Sequence, residues 1–184
     1  MQDIPPSPWV RRFAALIPAG GKILDVACGC GRHARLLSKM GYRVEAVDRD
    51  PLALAALEGF PGITTRIADL ENAPWPYDEA TFDAVIVANY LYRPRFAVLV
   101  DALASGGVLI YETFMVGNEA LGKPSNSDFL LAPGELLDRA RPRLTVIAFE
   151  QGRVETPKPA FVQRICAMAG GVGRLPMEVK ARPA

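Results

Sequence analysis

Apolar positions along the chain recur in two rhythms that alternate, one helical and one strand-like. Residues 8–17, P-W-V-R-R-F-A-A-L-I, put Trp9, Phe13, Leu16 and Ile17 on one helical face, and Pro18-Ala-Gly-Gly stops that helix. Lys22–Ala27 then reads as a buried strand, and residues 32–40 resume a helical pattern that ends at Gly41. Tyr42–Asp48 is a second strand, and Pro51–Leu57 a helix with proline at its first turn. Ile63–Asp69 and Phe82–Ala88 are the third and fourth strands, followed by a helix over Arg95–Leu103. Gly106-Gly107 turns into a fifth strand, V-L-I-Y-E-T-F. Residues 133–140 look helical, and L-T-V-I-A-F-E and F-V-Q-R-I-C-A-M-A pair as a closing hairpin across a short polar segment.

Strand and helix alternate five times, which argues for a parallel sheet covered on both faces. The expectation is an α/β fold: a single Rossmann-like, doubly wound, mostly parallel sheet with a C-terminal antiparallel hairpin. Residues 1–184 read as one domain, with an N-terminal helix in 1–18 and the core in 19–184. Open sheets of this kind bind ligands beyond the carboxyl ends of their strands. Asp25, Asp48, Asp69 and Asn89 all lie at or near such ends.

Composition narrows the function classes. The net charge is +1 with scattered Lys and Arg, so there is no clear footprint for nucleic acid or an anionic membrane. No apolar run is long enough to cross a bilayer, and the opening M-Q-D-I-P-P-S-P is unlike a signal peptide, so a cytoplasmic protein is expected. Cys28, Cys30 and Cys166, with His33 as the single histidine, are too few for a tetrahedral metal site, and no metal is assigned. His33 is read as a surface or packing residue on the first helical turn rather than a catalyst.

The stretch K-I-L-D-V-A-C-G-C-G-R-H, residues 22–33, carries the chemistry. Gly29, Gly31 and Ala34 fit the dinucleotide fingerprint G-x-G-x-x-G/A, which keeps an NAD(P)-dependent oxidoreductase open. The same residues, L-D-V-A-C-G-C-G at 24–31, resemble the first motif of the class I S-adenosylmethionine-dependent methyltransferases. C-G-x-G-R at 28–32 is similar to the small bacterial enzymes of the tellurite-resistance type. The resemblance implies S-adenosyl-L-methionine as cofactor, held by Asp25, Ala27, Gly29, Gly31, Asp48, Arg49, Asp69, Leu70 and Asn89. Asp48 would take the ribose hydroxyls, Asp69 the adenine amino group and the Leu70 N–H a ring nitrogen. Asp25 would face the cofactor's ammonium and repel a pyrophosphate. Taken singly, Asp25 also reads as a turn cap, and Asp50 as a helix cap with Asp48 merely solvated. Ala27 stands where that motif often has glycine, which implies that the backbone there keeps negative φ.

On the acceptor side, N-Y-L-Y-R-P at 89–94 is not the N-P-P-Y signature of enzymes that methylate amino groups of nucleic acid or glutamine. Tyr90 and Tyr92 read equally as acceptor-facing or as rim and core aromatics. The aperiodic stretch 116–128, with Asn118 as a further acceptor contact, reads as a lid, and the N-terminal helix with Trp9, Arg11 and Arg12 as the opposite wall. The expected reaction is direct displacement onto a small-molecule acceptor, which requires no general base, and none is named. A non-catalytic S-adenosylmethionine-binding module is the second alternative.

Overall fold

The computed structural model describes residues 5–171. Seven strands form one sheet in the order β3-β2-β1-β4-β5-β7-β6. They are β1 Lys22–Val26, β2 Arg43–Asp48, β3 Ile63–Ile67, β4 Phe82–Ala88, β5 Leu103–Phe114, β6 Thr145–Val154 and β7 Ala160–Met168. The first five run parallel, and β7 returns antiparallel against both β5 and β6. The doubly wound sheet and its closing hairpin are therefore as the alternation of patterns implies. Among the described residues no helix is long and apolar enough to cross a membrane.

Five helices cover the sheet: α1 Pro8–Phe13, α2 Arg32–Lys39, α3 Pro51–Ala55, α4 Phe96–Asp101 and α5 Glu135–Ala140. Side chains alternate across each strand, so one sequence run feeds two cores. Leu24 and Val26 of β1 join the cluster with Phe96, Leu99 and Leu136 of α4 and α5. Ile23 joins the cluster with Trp9 and Phe13 of α1, Leu37 of α2 and Leu54 of α3. Burying side chains of this size contributes roughly 1.5–3 kcal/mol each relative to exposure. Asp25 falls on the second face and is 1% exposed, an acid set into a run of apolar neighbours.

Local chemistry sets the ends of the helices. Ser7 caps α1 by accepting from the N–H groups of Trp9 and Val10, and Asp50 caps α3 by accepting from Leu52 and Ala53. The first helix is shorter than its pattern, because the chain tightens to a 3₁₀ turn over Ala14–Leu16, yet Trp9, Phe13 and Ile17 stay buried. It packs flat on the sheet, with the Trp9 indole N–H donating to the Ile165 carbonyl at 3.2 Å. Arg12 lies over the Trp9 and Phe13 rings and pairs with Glu150, while Arg11 is exposed. The helix's apolar stripe packs on the sheet face, and its start lies against the first turn of α2, the Ser7 N–H donating to His33 and the Pro5 carbonyl accepting from Arg32.

Three other boundaries move. The third strand ends at Ile67, two residues before Asp69. The fourth helix begins at Phe96, after a 3₁₀ turn over Arg93–Arg95. Strand β5 starts at Leu103, pairs with Phe82, and shifts register before Val108. Between β3 and β4 no helix forms. Trp75, Tyr77 and Phe82 pack edge to face there, with centroids 5.4 and 5.3 Å apart.

Candidate cofactor site

The site is built from the loops that leave the carboxyl ends of four neighbouring parallel strands, β1 to β4. The turn after β1 coils through left-handed conformations, with φ of 50° at Ala27, 54° at Gly29 and 71° at Gly31. Ala27 thus contradicts the expectation of negative φ. A side chain in the left-handed region costs on the order of 1–2 kcal/mol, so alanine is held there by the surrounding loop. The two glycines serve different ends. A Cβ on Gly29 would meet nothing within 4 Å, so its backbone borders open space. A Cβ on Gly31 would lie 2.4 Å from the Leu57 methyls, so its bareness admits Leu57 to the core.

Asp48, the last residue of β2, organises this turn. Its Oδ2 accepts from the Gly29 N–H at 2.8 Å, and its Oδ1 from the Asp50 N–H at 3.0 Å. The Cys28 N–H donates to the Val47 carbonyl, and the Gly31 N–H to the Cys28 carbonyl. Asp25 sits behind the turn. The Ala34 N–H and the Arg32 guanidinium favour its charge, but burial dominates, aided by nearby Asp48, and lifts its pKa to about 7. Its Oδ2 has no hydrogen-bond partner among the described residues.

The loop after β3 turns on Asp69, which lies beyond the strand. Its carboxylate accepts from the N–H groups of Glu71 and Asn72 and from the Asn72 side chain, which together hold its pKa below the usual value. Leu70 is buried, and its carbonyl accepts from Arg95 Nε at 2.7 Å. Tyr90, after β4, places at the same loop a buried hydroxyl without a partner among the described residues; burial, with Glu71 nearby, pushes its pKa up.

A cavity of about 160 Å³ lies between these loops, lined by Ala27, Asp48, Arg49, Ala68, Asp69, Leu70, Glu71 and Tyr90. Ordinary small-molecule sites span roughly 300–1,000 Å³, so this cavity takes part of a ligand whose remainder runs out beside Gly29. Six residues read from the sequence thus converge: Ala27, Asp48, Arg49, Asp69, Leu70 and Tyr90. Gly29 borders the open side and Asp25 lies behind it. Ala68 and Glu71 went unread, although Glu71 is only two residues past Asp69 on the same loop.

Other expected contacts lie elsewhere. Asn89 is exposed with φ of 59°, its N–H donating to the Glu112 carbonyl. Tyr92 is half-buried and lines neither this cavity nor a second one described below. Asn118 is 2% exposed and ties its own loop together: its Nδ2 donates to the Pro124 carbonyl, and its Oδ1 accepts from the Phe161 N–H. An acceptor contact through Asn118 is corrected to a structural one, because both ends of its amide are engaged. His33 is buried, accepts the Ser7 N–H at Nε2, and has its pKa lowered to about 3 by burial and Arg32. It is a neutral packing residue. Among the described residues no group of three or more His, Cys, Asp or Glu side chains could hold a metal ion.

Residues 23–107 match the family model described as a methyltransferase domain. That stretch of the chain is similar to a methyltransferase domain. Over 96 residues the chain is 38% identical to protein-L-isoaspartate O-methyltransferase 1 of Syntrophobacter fumaroxidans, covering 48% of this chain and 43% of that protein. Over 123 residues it is 34% identical to the tRNA U34 carboxymethyltransferase of Methylococcus capsulatus, covering 61% and 38%. The chain therefore spans less than half the length of these relatives. Among solved structures it resembles TehB from Haemophilus influenzae, with a TM-score of 0.72 at 20% identity over 88% of this chain and 61% of that one. The methyltransferase domain model covers β1 to the start of β5, which includes every loop that lines the cavity.

Proposed function

We propose that this chain binds S-adenosyl-L-methionine in the acid-lined cavity and transfers its methyl group to a small-molecule acceptor. The observation that carries the reading is how the glycine turn uses its amide donors. In a dinucleotide site such donors meet the pyrophosphate. Here the N–H groups of Cys28, Gly29 and Gly31 are bonded to Val47, Asp48 and Cys28, and the Ala34 N–H serves Asp25. Three carboxylates, Asp48, Asp69 and Glu71, line the cavity against one cation, Arg49. A phosphate would meet repulsion and few free donors, whereas hydroxyls, an amine and a sulfonium meet acceptors. The antiparallel β7, where a dehydrogenase repeats a parallel unit, supports the same choice.

The residues present fit this cofactor. Asp48 keeps a lone pair on each oxygen for the ribose hydroxyls, Asp69 and Leu70 border the adenine, and the open side of Gly29 admits the methionine arm. Asp25, with one oxygen that has no partner among the described residues behind the turn, offers a buried carboxyl to the ammonium side of the ligand. When bound, the cofactor would supply a sulfonium methyl open to in-line attack by an acceptor lone pair, the thioether leaving with the C–S bonding pair. The chain's own part is alignment and exclusion of water, for which oriented binding contributes several kcal/mol without an acid or base. A small acceptor is supported by the unpatterned charge, and a cytoplasmic setting by the thiols of Cys28 and Cys166, which form no disulfide.

Calorimetric titration with S-adenosylhomocysteine and with NAD tests the cofactor. Saturable binding of the first and none of the second is expected, and the reverse would overturn the reading. Release of S-adenosylhomocysteine with small acceptors, but not with tRNA or an isoaspartyl peptide, tests the acceptor class.

A further inference from the structure

A second cavity, of about 520 Å³, lies at the carboxyl end of β5 and is lined by Phe114, Lys123, Pro124, Ser125, Asn126, Phe129 and Lys158. We propose that it seats the methyl acceptor, and that the acceptor carries a carboxylate beside a flat apolar body. This rests on the methyltransferase reading and adds the class of molecule that the other substrate belongs to.

The cavity has the size of a small-molecule site, where the cofactor cavity is too small for two ligands. Its charge is opposite in sign. Lys123 comes from the loop after β5 and Lys158 from the turn between β6 and β7, and both border the same space. Among the described residues neither lysine has a carboxylate partner, and no acid lines the cavity. The two nearest acids in sequence are engaged: Glu119 accepts from the Gly117 N–H, and Glu155 pairs with Arg153. Two exposed ammonium groups without carboxylate partners, set on one open and partly apolar surface, favour an anion. Phe114 is half-buried and Phe129 is 48% exposed, so the same space offers aromatic surface to a flat body.

Position fits as well. Phe114 ends β5, two strands from β1 in the sheet, so the cavity opens on the same carboxyl rim as the glycine turn, set three residues further out along the strands (Val26 pairs with Val87, and Val87 with Tyr111). The loop is fixed at its base, where the Val116 N–H bonds the Leu131 carbonyl and the Leu131 N–H the Phe114 carbonyl, so Lys123 is carried on a tethered support.

The test is calorimetric titration of benzoate, and of neutral, similarly shaped benzamide, into the S-adenosylhomocysteine-loaded chain. The expected result is saturable benzoate binding that salt weakens, with benzamide at least about tenfold weaker. In the double variant Lys123→Gln/Lys158→Gln, benzoate should fall to the benzamide level while S-adenosylhomocysteine affinity is unchanged. No benzoate binding, equal binding of benzamide, or an unaffected double variant overturns the inference and leaves the cofactor reading intact. If S-adenosylhomocysteine itself does not bind, the cofactor reading falls. The same benzoate comparison, run on the free chain, then decides whether the lysine cavity is an anion site.

Discussion

Ala27 and Asp25 stand two residues apart at the glycine turn and carry different kinds of strain, one conformational and one electrostatic. Ala27 holds a left-handed backbone that glycine adopts at no steric cost. Ala27→Gly is expected to stabilise the chain by about 1 kcal/mol, which raises Tm by roughly 2–4 °C at this size. Thermal unfolding checks this, and a fall in Tm would show that the alanine methyl makes a packing contact worth more than the strain. Asp25 is electrostatic. Folded, it keeps its proton up to about pH 7, whereas an unfolded aspartate releases it near 3.8. Between those values the folded state binds more protons, so Asp25 disfavours folding increasingly as pH rises through the window. Asp25→Asn should therefore gain stability over wild type by about 2–3 kcal/mol more at pH 8 than at pH 5, read from denaturant unfolding. An equal difference at both values would mean that the carboxyl ionises freely in the fold. Sequence reading reached Asp48 and Asp50 because strand end and helix cap are local signals. It missed the conformation of Ala27, since alanine does not announce positive φ. It also missed the bond between His33 and Ser7, whose partners are 26 residues apart.

At the scale of elements, the long segment after β5 was legible as a loop but not as a built one. Two 3₁₀ turns, Asn118–Ala120 and Ser127–Phe129, divide it, and Arg93 clamps its far end by donating to the Asp128 and Leu130 carbonyls while pairing with Glu135. The lid expectation is thereby narrowed from 116–128 to the exposed apex, residues 121–126. Amide exchange should show residues 116, 118 and 131 protected with or without ligand, and the apex protected only with cofactor and acceptor bound. Strong protection of the apex in the free chain would make the whole segment ordinary packed structure. The crossover between β3 and β4 shows no helical period in the sequence, and no helix forms there. Trp75, Tyr77 and Phe82 fill with aromatic packing the place that a parallel crossover usually gives a helix, and three rings carry no periodicity to read.

For the whole molecule, the sheet order and its two cores follow from alternation alone, because a strand buried on both faces and a helix with one apolar stripe have few ways to pack. What alternation cannot convey is which carboxyl-end groups meet. Asp48, Asp69, Glu71 and Tyr90 come from three loops and share one cavity only because β2, β1 and β4 are neighbours in the sheet while β3 closes the edge. The central claim is that this carboxyl rim holds S-adenosylmethionine with Asp48 as its ribose anchor. Calorimetric titration of S-adenosylhomocysteine into wild type, Asp48→Ala and Asp50→Ala tests it most directly. Bonds to a charged acceptor are worth roughly 1.5–3 kcal/mol each, so Asp48→Ala should bind at least about tenfold more weakly. Asp50→Ala should lose only its helix cap, about 0.5–2 kcal/mol of stability, with affinity nearly unchanged. Undiminished binding by Asp48→Ala, with its fold intact, would contradict the account.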